Sequence, residues 1–442
     1  MNLFFLNKLY NFFLSNKNKQ YKIKIILHYL FSLIGFLLGL FFYFFIILIR
    51  KFFLIRYSYI KSTRIGHCLD DIDLYLSSIK NGKYNMDLPK QRKSLDLFYY
   101  NYYICNDFVA KILKRNLLIV PYFVFYWLQK IDDFFIKYLN LKNYNQIGCF
   151  KEPNFFFVPQ INRDHYDFWN NNNINFNLAQ AEVENGYKRL EEMGINKNEK
   201  YICIYARDSK YLDYNYPYND WTEHNYRDVD INVYMDSVKE LIKRNFKIIR
   251  VGKDLKTPMI YKNKNLIDYS FSRFRDDFMD IFLIAKCEYL ISSSSGIDAI
   301  ARIFRKKTIF PFLFPVMDVY SSSSNHYVAF RHLFSEKLKR NLTLNEIVRL
   351  NYGYIYSSTF LKENNLRLEN LNKKLISDYI IDCIEPEKNI SEIENNEIIS
   401  LENKFYKIFS KFSFYNNKIL MHKNINFRIS RKFLLKNKFW LE

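Results

Sequence analysis

Glycine is scarce in this sequence, with only 10 among 442 residues. Neither glycine-rich phosphate motif is present: there is no GxxxxGK[ST] loop and no GxGxxG fingerprint. A P-loop nucleotidase is therefore excluded. An epimerase that needs a dinucleotide cofactor is disfavoured for the same reason.

Cysteine clusters are also missing. The six cysteines are widely spaced, with no CxxC pair and no Cys/His group at zinc spacing: Cys68, Cys105, Cys149, Cys203, Cys287 and Cys383. This excludes a zinc ribbon, a redox motif and a disulfide framework. The apolar surroundings of Cys203 and Cys287 predict buried thiols in a reduced compartment.

Acidic residues are nearly absent from both ends of the chain. Residues 1–69 carry ten basic side chains and no acid, and residues 403–442 carry ten basic side chains and one acid. The body between them, residues 70–402, has 46 basic and 44 acidic residues. A nucleic-acid-binding core would carry the charge on its own face, so the pattern favours contact with an anionic membrane.

One apolar run is long enough to cross a bilayer. Ile25 to Ile49 contains only His28 and Ser32 as polar interruptions, and about twenty helical residues suffice to span. Basic residues flank both sides equally, so the positive-inside rule leaves the orientation open. Gly35 and Gly39 form a GxxxG pair, which fits either a close helix contact or a lipid-exposed helix.

A second apolar run, Leu117 to Leu128, is too short to span and contains Pro121. It fits either a buried core segment or a surface that dips into lipid headgroups, and the core is favoured.

The second half of the chain alternates strand-like and helix-like segments. Apolar runs at 201–205, 246–251, 288–292 and 308–313 are separated by segments with helical spacing. This alternation predicts an α/β fold with a parallel, doubly wound sheet. Ligands of such sheets bind at the carboxyl ends of the strands. Residues 386–442 are expected to form a basic, aromatic tail outside the core.

Three groups of residues follow these strands. Ser292 to Asp298 joins a buried strand to a helix, and its Ser294, Ser295 and Gly296 fit either a phosphate site or an ordinary serine cap. Arg207 and Asp208 follow the strand at 201–205. The arginine can donate two hydrogen bonds to a diphosphate, and the aspartate can orient that arginine or act as a base. Gly252 and Lys253 follow the next strand and add a positive charge.

Two further positions carry candidate chemistry. The segment His224 to Asp230 contains Arg227 and a DxD pair, Asp228 and Asp230, which helix capping explains better than a metal clamp. His67 follows Gly66 and fits either a base with a pKa near 7 or a structural histidine.

The ordered set of these segments resembles a family of bacterial glycosyltransferases of surface-polysaccharide loci, which have two Rossmann-like domains in the GT-B arrangement. The matching segments lie within residues 55–385 and are 64–67, 201–208, 225–230, 248–253, 267–269, 276–280 and 294–298. The chain departs from the family in its apolar N-terminus, its basic tail, Asp228 in place of asparagine, and a Tyr-rich insertion at 211–221.

The resemblance implies a role for each segment of the chain. Residues 1–24 would be a basic segment, 25–49 a single transmembrane helix, 55–178 the acceptor domain, 179–385 the nucleotide-sugar domain and 386–442 the tail. Arg207, Gly252, Lys253, Ser294, Ser295, Gly296 and Asp298 would bind the donor, and His67, Asp208 and Arg227 would serve catalysis. No metal and no cofactor is implied beyond the nucleotide-sugar substrate.

The same resemblance implies a cytoplasmic body on the inner (cytoplasmic) membrane, a glycan or lipid-linked acceptor, and no nucleic acid. Two other functions stay open. One is a membrane-tethered binding or assembly protein with the same fold and no catalysis. The other is an α/β enzyme of another class that uses phosphorylated substrates.

Overall fold

The computed structural model describes residues 19–81, 94–101, 103–139, 164, 167–171, 173–319, 323–387, 391–414, 419–420 and 425–442. The helices are α1 Lys19–Ile49, α2 Ile65–Lys80, α3 Asp107–Asn116, α4 Tyr122–Leu139, α5 Phe168–Asn171, α6 Gln180–Glu192, α7 Lys210–Asn215, α8 Met235–Lys243, α9 Asp277–Lys286, α10 Asp298–Ile303, α11 Leu344–Arg349, α12 Ser358–Glu363, α13 Lys373–Ile384, α14 Glu392–Phe409 and α15 Arg431–Lys436.

The strands are β1 Leu54–Ile60, β2 Ser94–Tyr100, β3 Leu118–Ile119, β4 Tyr201–Tyr205, β5 Lys247–Arg250, β6 Leu266–Asp268, β7 Tyr289–Ser292, β8 Lys307–Leu313, β9 His326–Phe330, β10 Leu333–Ser335, β11 Arg340–Asn341, β12 Leu366–Leu368, β13 Ser413–Phe414, β14 Ile419–Leu420 and β15 Arg428–Ile429. The predicted mixed α/β architecture with parallel sheets is confirmed.

The chain divides into two compact units, and the first draws on residues 1–63, 87–104 and 114–154. Its sheet has three parallel strands in the order β1-β2-β3. Helix α4 packs on that sheet, where Val124, Phe125 and Leu128 are buried together with Tyr57 and Tyr99. The second apolar run therefore contributes to a core, as the sequence favours.

Helix α1 contains the candidate membrane span of this unit. Tyr29–Ile49 is 21 residues long with a mean hydropathy of 2.7, and it is the one helix among the described residues that is long and apolar enough to cross a bilayer. Gly35 and Gly39 face α4: a Cβ atom on Gly39 would lie 2.9 Å from the amide nitrogen of Leu128. The GxxxG pair thus allows close packing within the chain.

The second unit draws on residues 64–86, 105–113 and 155–442. Its main sheet has seven parallel strands in the order β15-β9-β8-β7-β4-β5-β6. Counted from β4, the six strands from β6 to β9 have the order 3-2-1-4-5-6 of a Rossmann sheet. All five residues of β4 are buried, because the central strand of a parallel sheet is covered on both faces.

Helix α2 belongs to this second unit because buried ion pairs hold it there. The Arg302 guanidinium donates to both carboxylate oxygens of Asp70, at 3.0 and 2.7 Å, and Arg305 pairs with Asp73 at 2.8 Å. Both aspartates lie on one face of α2 because they are three residues apart. Contacts therefore do not divide the chain at residue 178, and the two Rossmann-like domains stay a prediction.

The expectation that residues 386–442 form a tail outside the core is wrong. Strand β15 pairs with β9, and Phe405, Phe409 and Phe427 are buried with Trp440, whose exposed fraction is 0%. Each buried aromatic side chain contributes about 2–3 kcal/mol to stability, which outweighs the weak repulsion of exposed basic residues. The lysines remain outside, since Lys436 and Lys438 are exposed.

Candidate functional site

The switch point of the sheet lies between β4 and β7, where the chain order reverses. The loops after these two strands are joined directly: the Arg207 amide donates to the Ser293 hydroxyl oxygen at 2.9 Å. The predicted residues Arg207 and Ser294 to Gly296 therefore lie at the same edge of the sheet.

The loop after β7 already bonds to two carboxylates, one from the helix that follows it and one from the segment after β8. The Ser294 hydroxyl donates to Asp318 Oδ2 at 2.5 Å, and the Ser295 amide donates to Asp298 Oδ2 at 2.7 Å. Burial raises the pKa of Asp298 to about 6 and also raises the pKa of Asp318. Since Asp298 occupies the amide that the sequence offered to a phosphate, the donor contact of these serines stays a prediction.

The same loop lies against the start of helix α2. A Cβ atom on Gly66 would come within 2.9 Å of the Gly296 Cα, so neither position has room for a side chain without a shift. His67, half-buried, is the next residue of this helix. The structure therefore places the predicted base in the first turn of a helix whose neighbour is the loop at the switch point.

Arg207 is a buried cation, with an exposed fraction of 4%. Its Nη1 donates to the His224 carbonyl at 3.1 Å and pairs with Asp228. Its Nη2 is buried and has no hydrogen-bond partner. A buried donor that lacks a partner is unfavourable by about 1–3 kcal/mol, and an anion would remove that penalty.

Two more arginines belong to this region. Arg227 lies in the 3₁₀ helix Thr222–Arg227, stacks on Tyr226 at 5.6 Å, and has a buried Nε without a partner. Arg64 stacks over the Trp221 ring at 4.8 Å, and the His224 ring stacks on the same indole with ring centroids 6.0 Å apart. We call Arg64, Arg207 and Arg227 the arginine cluster.

The electrostatics of the arginine cluster show excess positive charge. Burial, together with Arg227, Arg207 and Arg64, lowers the pKa of His224 to about 4. The pKa of Arg207 is lowered by burial and next by Arg227, although Asp228 opposes both. His224 is therefore neutral at pH 7, and its buried Nδ1 also lacks a partner. Such a site favours an anionic ligand with several oxygen acceptors.

Asp208 has a different environment from its neighbour Arg207. One carboxylate oxygen accepts the Lys210 amide at 3.0 Å, and the other accepts the Lys256 amide at 2.9 Å. The side chain therefore ties the loop after β4 to the loop after β5. This geometry suits a positioning residue.

Gly252 and Lys253 lie at the end of β5. Gly252 has a φ of +138°, in the region that favours glycine, and a Cβ atom there would lie 3.2 Å from the Tyr205 ring. Lys253 Nζ lies 4.0 Å from Asp277. The structure thus gives Gly252 a steric reason to be glycine and gives Lys253 an acidic neighbour.

The two aspartates of the DxD pair have different partners. Asp228 pairs with Arg207, whereas Asp230 caps the following 3₁₀ helix by accepting the Asn232 amide at 3.0 Å. The capping interpretation is confirmed for Asp230. Among the described residues, no group of three or more His, Cys, Asp or Glu side chains could hold a metal ion.

Sequence reasoning gave no role to Arg64, Trp221, His224 or Tyr226. All four lie beside residues with an assigned role or in the Tyr-rich insertion, and that position is the signal that the sequence offers for them. What the sequence did not reveal is the contact of Arg64 with Trp221, which joins the start of α2 to the insertion.

Comparison with known proteins does not assign the chain to a family. No protein-family model matches the chain, and no curated protein matches its sequence. Among solved structures, E. coli ADP-heptose lps heptosyltransferase II has 8% identity and a TM-score of 0.32, over 58% of this chain and 84% of that one. A glycosyl transferase family 9 protein from Veillonella parvula has 8% identity and a TM-score of 0.35, over 58% and 80%. Likeness at this level does not establish a shared fold.

Proposed function

We propose that this protein is a membrane-anchored, metal-independent glycosyltransferase. It moves a sugar from a nucleotide-sugar donor to a glycan or lipid-linked acceptor in surface-polysaccharide synthesis. The observation that carries the proposal is the arginine cluster at the switch point of a Rossmann-ordered sheet. There, Arg207 Nη2 and Arg227 Nε are buried donors without partners.

The diphosphate of the donor is the group that fits this cluster. It carries at least two negative charges and several oxygens, whereas a carboxylate offers one charge and two oxygens. Arg207 and Arg227 donate to these oxygens, and Arg64 adds a third positive charge. The leaving diphosphate is then stabilised by fixed guanidinium groups, as a divalent cation does in other transferases.

In the transfer step, the acceptor hydroxyl oxygen forms a bond to the anomeric carbon of the sugar. The bond from that carbon to the diphosphate oxygen breaks, and its electron pair leaves with the nucleoside diphosphate. His67 accepts the hydroxyl proton as general base. Asp208 holds the loop that carries Arg207, and the Ser294 to Gly296 loop and Gly252–Lys253 border the donor.

Helix α1 supplies the anchor in this proposal. A single, predominantly apolar span of 21 residues is sufficient to cross a bilayer. A nucleotide-sugar donor is made in the cytoplasm, so the proposal places the second unit on the cytoplasmic side of the inner membrane. The acceptor would then be reached at the membrane surface.

The test is a thermal shift of the full chain in detergent against UDP-, GDP-, CMP- and dTDP-sugars, with and without EDTA. One nucleotide should raise the melting temperature, and EDTA should leave that rise unchanged. Arg207→Ala and Arg227→Ala should abolish it. Arg331→Ala is the matched control, because Arg331 donates to the Glu369 carbonyl at 2.8 Å and has no part in the cluster.

Turnover is measured separately, as release of the nucleoside diphosphate with membrane extracts as acceptor. Binding without turnover would favour the non-catalytic binding protein. A rise in melting temperature that survives both arginine substitutions would contradict the assigned donor site. Full turnover by His67→Ala would remove His67 as the base.

A further inference from the structure

Helix α4 exposes a stripe of large apolar side chains although its other face is buried. Phe123, Phe134, Tyr138 and Leu139 are exposed, with Phe134 at 55%. Phe123, Phe134 and Tyr138 lie within about 60° of one another around the helix axis, beside the buried face that Val124, Leu128 and Ile131 form. A soluble surface rarely carries such a continuous apolar stripe.

This stripe continues the surface of the candidate span. Helix α4 packs along α1 through Gly35 and Gly39, and Tyr43 stacks on Phe135 with ring centroids 4.9 Å apart. Gly35 contacts Phe123, and Tyr43 contacts Phe135, so the two helices run in the same direction. Phe123 thus lies near the middle of the span, and the end of α4 lies towards Ile49.

The charged side chains of α4 all lie in its second half, towards Ile49. Residues 122–129 carry no charged side chain, whereas the second half carries Lys130 and Lys137 with Asp132, which accepts the Tyr57 hydroxyl, and the exposed Asp133 between them. Both lysines lie over tyrosine rings, Lys130 at 5.6 Å from Tyr126 and Lys137 at 5.3 Å from Tyr138. Aromatic rings paired with lysines are typical of the boundary between hydrocarbon and headgroups.

We infer that α4 is a second lipid-contacting element, whose exposed stripe lies in the membrane interface beside α1. Its uncharged first half is the deeper part, and Lys130 and Lys137 meet anionic headgroups. The inference rests on the proposed anchoring by α1. It goes further because it makes the first unit a membrane-bound body, so that α1 is not its only contact with lipid.

The test uses the full chain in vesicles of phosphatidylethanolamine and phosphatidylglycerol that contain brominated lipids, which quench nearby tryptophan. Phe134→Trp places an indole on the stripe. Ile393→Trp is the matched control, because Ile393 is an apolar residue of the second unit that is 84% exposed. The readout is the emission added to that of the four native tryptophans.

We expect Phe134→Trp to lose most of its added emission to lipids brominated near the headgroup, and Ile393→Trp to lose none. Phe123→Trp should be quenched more by bromines further down the acyl chain. If the chain floats with vesicles but the indole of Phe134→Trp is not quenched, the inference about α4 is wrong, whereas the proposed anchoring by α1 is still supported. If the chain does not float, both the anchoring by α1 and the lipid contact of α4 are wrong. Sugar transfer is tested separately, because it is measured in detergent.

Discussion

The backbones of Gly66 and Gly296 are in direct contact, and a Cβ atom on Gly66 would not fit between them. The contact joins the first turn of α2, which carries His67, to the loop after β7. Because the two residues belong to segments far apart in sequence, this contact sets the distance between the proposed base and the switch point. A small change at either glycine should therefore act on both stability and transfer.

Gly66→Ala tests this contact. The added methyl group would lie 2.9 Å from the Gly296 Cα, which backbone movement alone can relieve, so we expect a loss of about 1–3 kcal/mol in the free energy of unfolding. Gly296→Ala is the graded control, since its nearest neighbour would be at 3.3 Å. Chemical denaturation should show the larger loss for Gly66→Ala, and an equal or reversed order would contradict the geometry.

The buried pair of Asp70 with Arg302 should be sensitive to the loss of one partner. Asp70→Asn leaves a buried guanidinium without its carboxylate, so we expect a loss of about 3–5 kcal/mol in the free energy of unfolding. Asp378→Asn, which breaks the exposed pair with Lys436, should have little effect.

Combining Asp70→Leu with Arg302→Met removes both charges and should recover part of that loss. If the double variant is as unstable as the sum of the single variants, the two side chains do not form a coupled pair.

His224 should make stability depend on pH. Its pKa in the folded protein is about 4, below that of an unfolded histidine, because burial and three arginines disfavour the cation. The unfolded chain therefore binds the proton first, and the free energy of unfolding should fall as the pH drops from about 6.5 towards 4.

His224→Gln should flatten this part of the profile, measured by urea denaturation at several pH values. Other buried histidines, such as His326, keep their own contribution in both proteins. An unchanged slope in His224→Gln would show that this histidine is not held neutral by the arginine cluster.

The packing of the C-terminal residues is tested at Trp440. Trp440→Ala should lower the free energy of unfolding by about 3–5 kcal/mol, since the indole is fully buried among Phe330, Phe405 and Phe433. Phe439→Ala changes the partly exposed neighbour and should lower it by about 1 kcal/mol or less. A tail outside the core would leave both variants as stable as the parent protein.

Much of the second unit could be predicted because its strands are short apolar runs between helical periods. The strand at 201–205 has the predicted bounds, and those at 247–250, 289–292 and 307–313 differ by one residue at one or both ends. The helix at 277–286 lies between two of these strands, and Asp276 caps its start by accepting the Met279 amide.

The prediction for the C-terminal segment is wrong because net charge does not show which side chains share one face of a helix. Phe405 and Phe409 are four residues apart, so one face of α14 buries both while lysines occupy other faces. The spacing of these two phenylalanines indicates the buried face, whereas the ten basic residues of the segment indicate only its net charge.

The site was only partly predictable for a different reason. Arg207 and the serine loop could be placed because parallel strands bring their carboxyl ends to one edge. The contacts of Arg64 with Trp221 and of Gly66 with Gly296 depend on how α2 docks on the second unit, which no local pattern specifies. The serine cap that the sequence offers as the alternative to a phosphate site differs from the observed contact, in which the Asp298 carboxylate accepts the Ser295 amide.

Strand β15 has one more consequence. Parallel sheets present unpaired amide and carbonyl groups at their outermost strands, and such edges recruit strands from other molecules. Here Arg428 and Ile429 occupy the outer side of β9, so that edge is covered by the chain itself. Loss of this short strand should therefore appear first as aggregation of an otherwise folded sheet, before any change in the loop after the central strand β4, which carries Arg207.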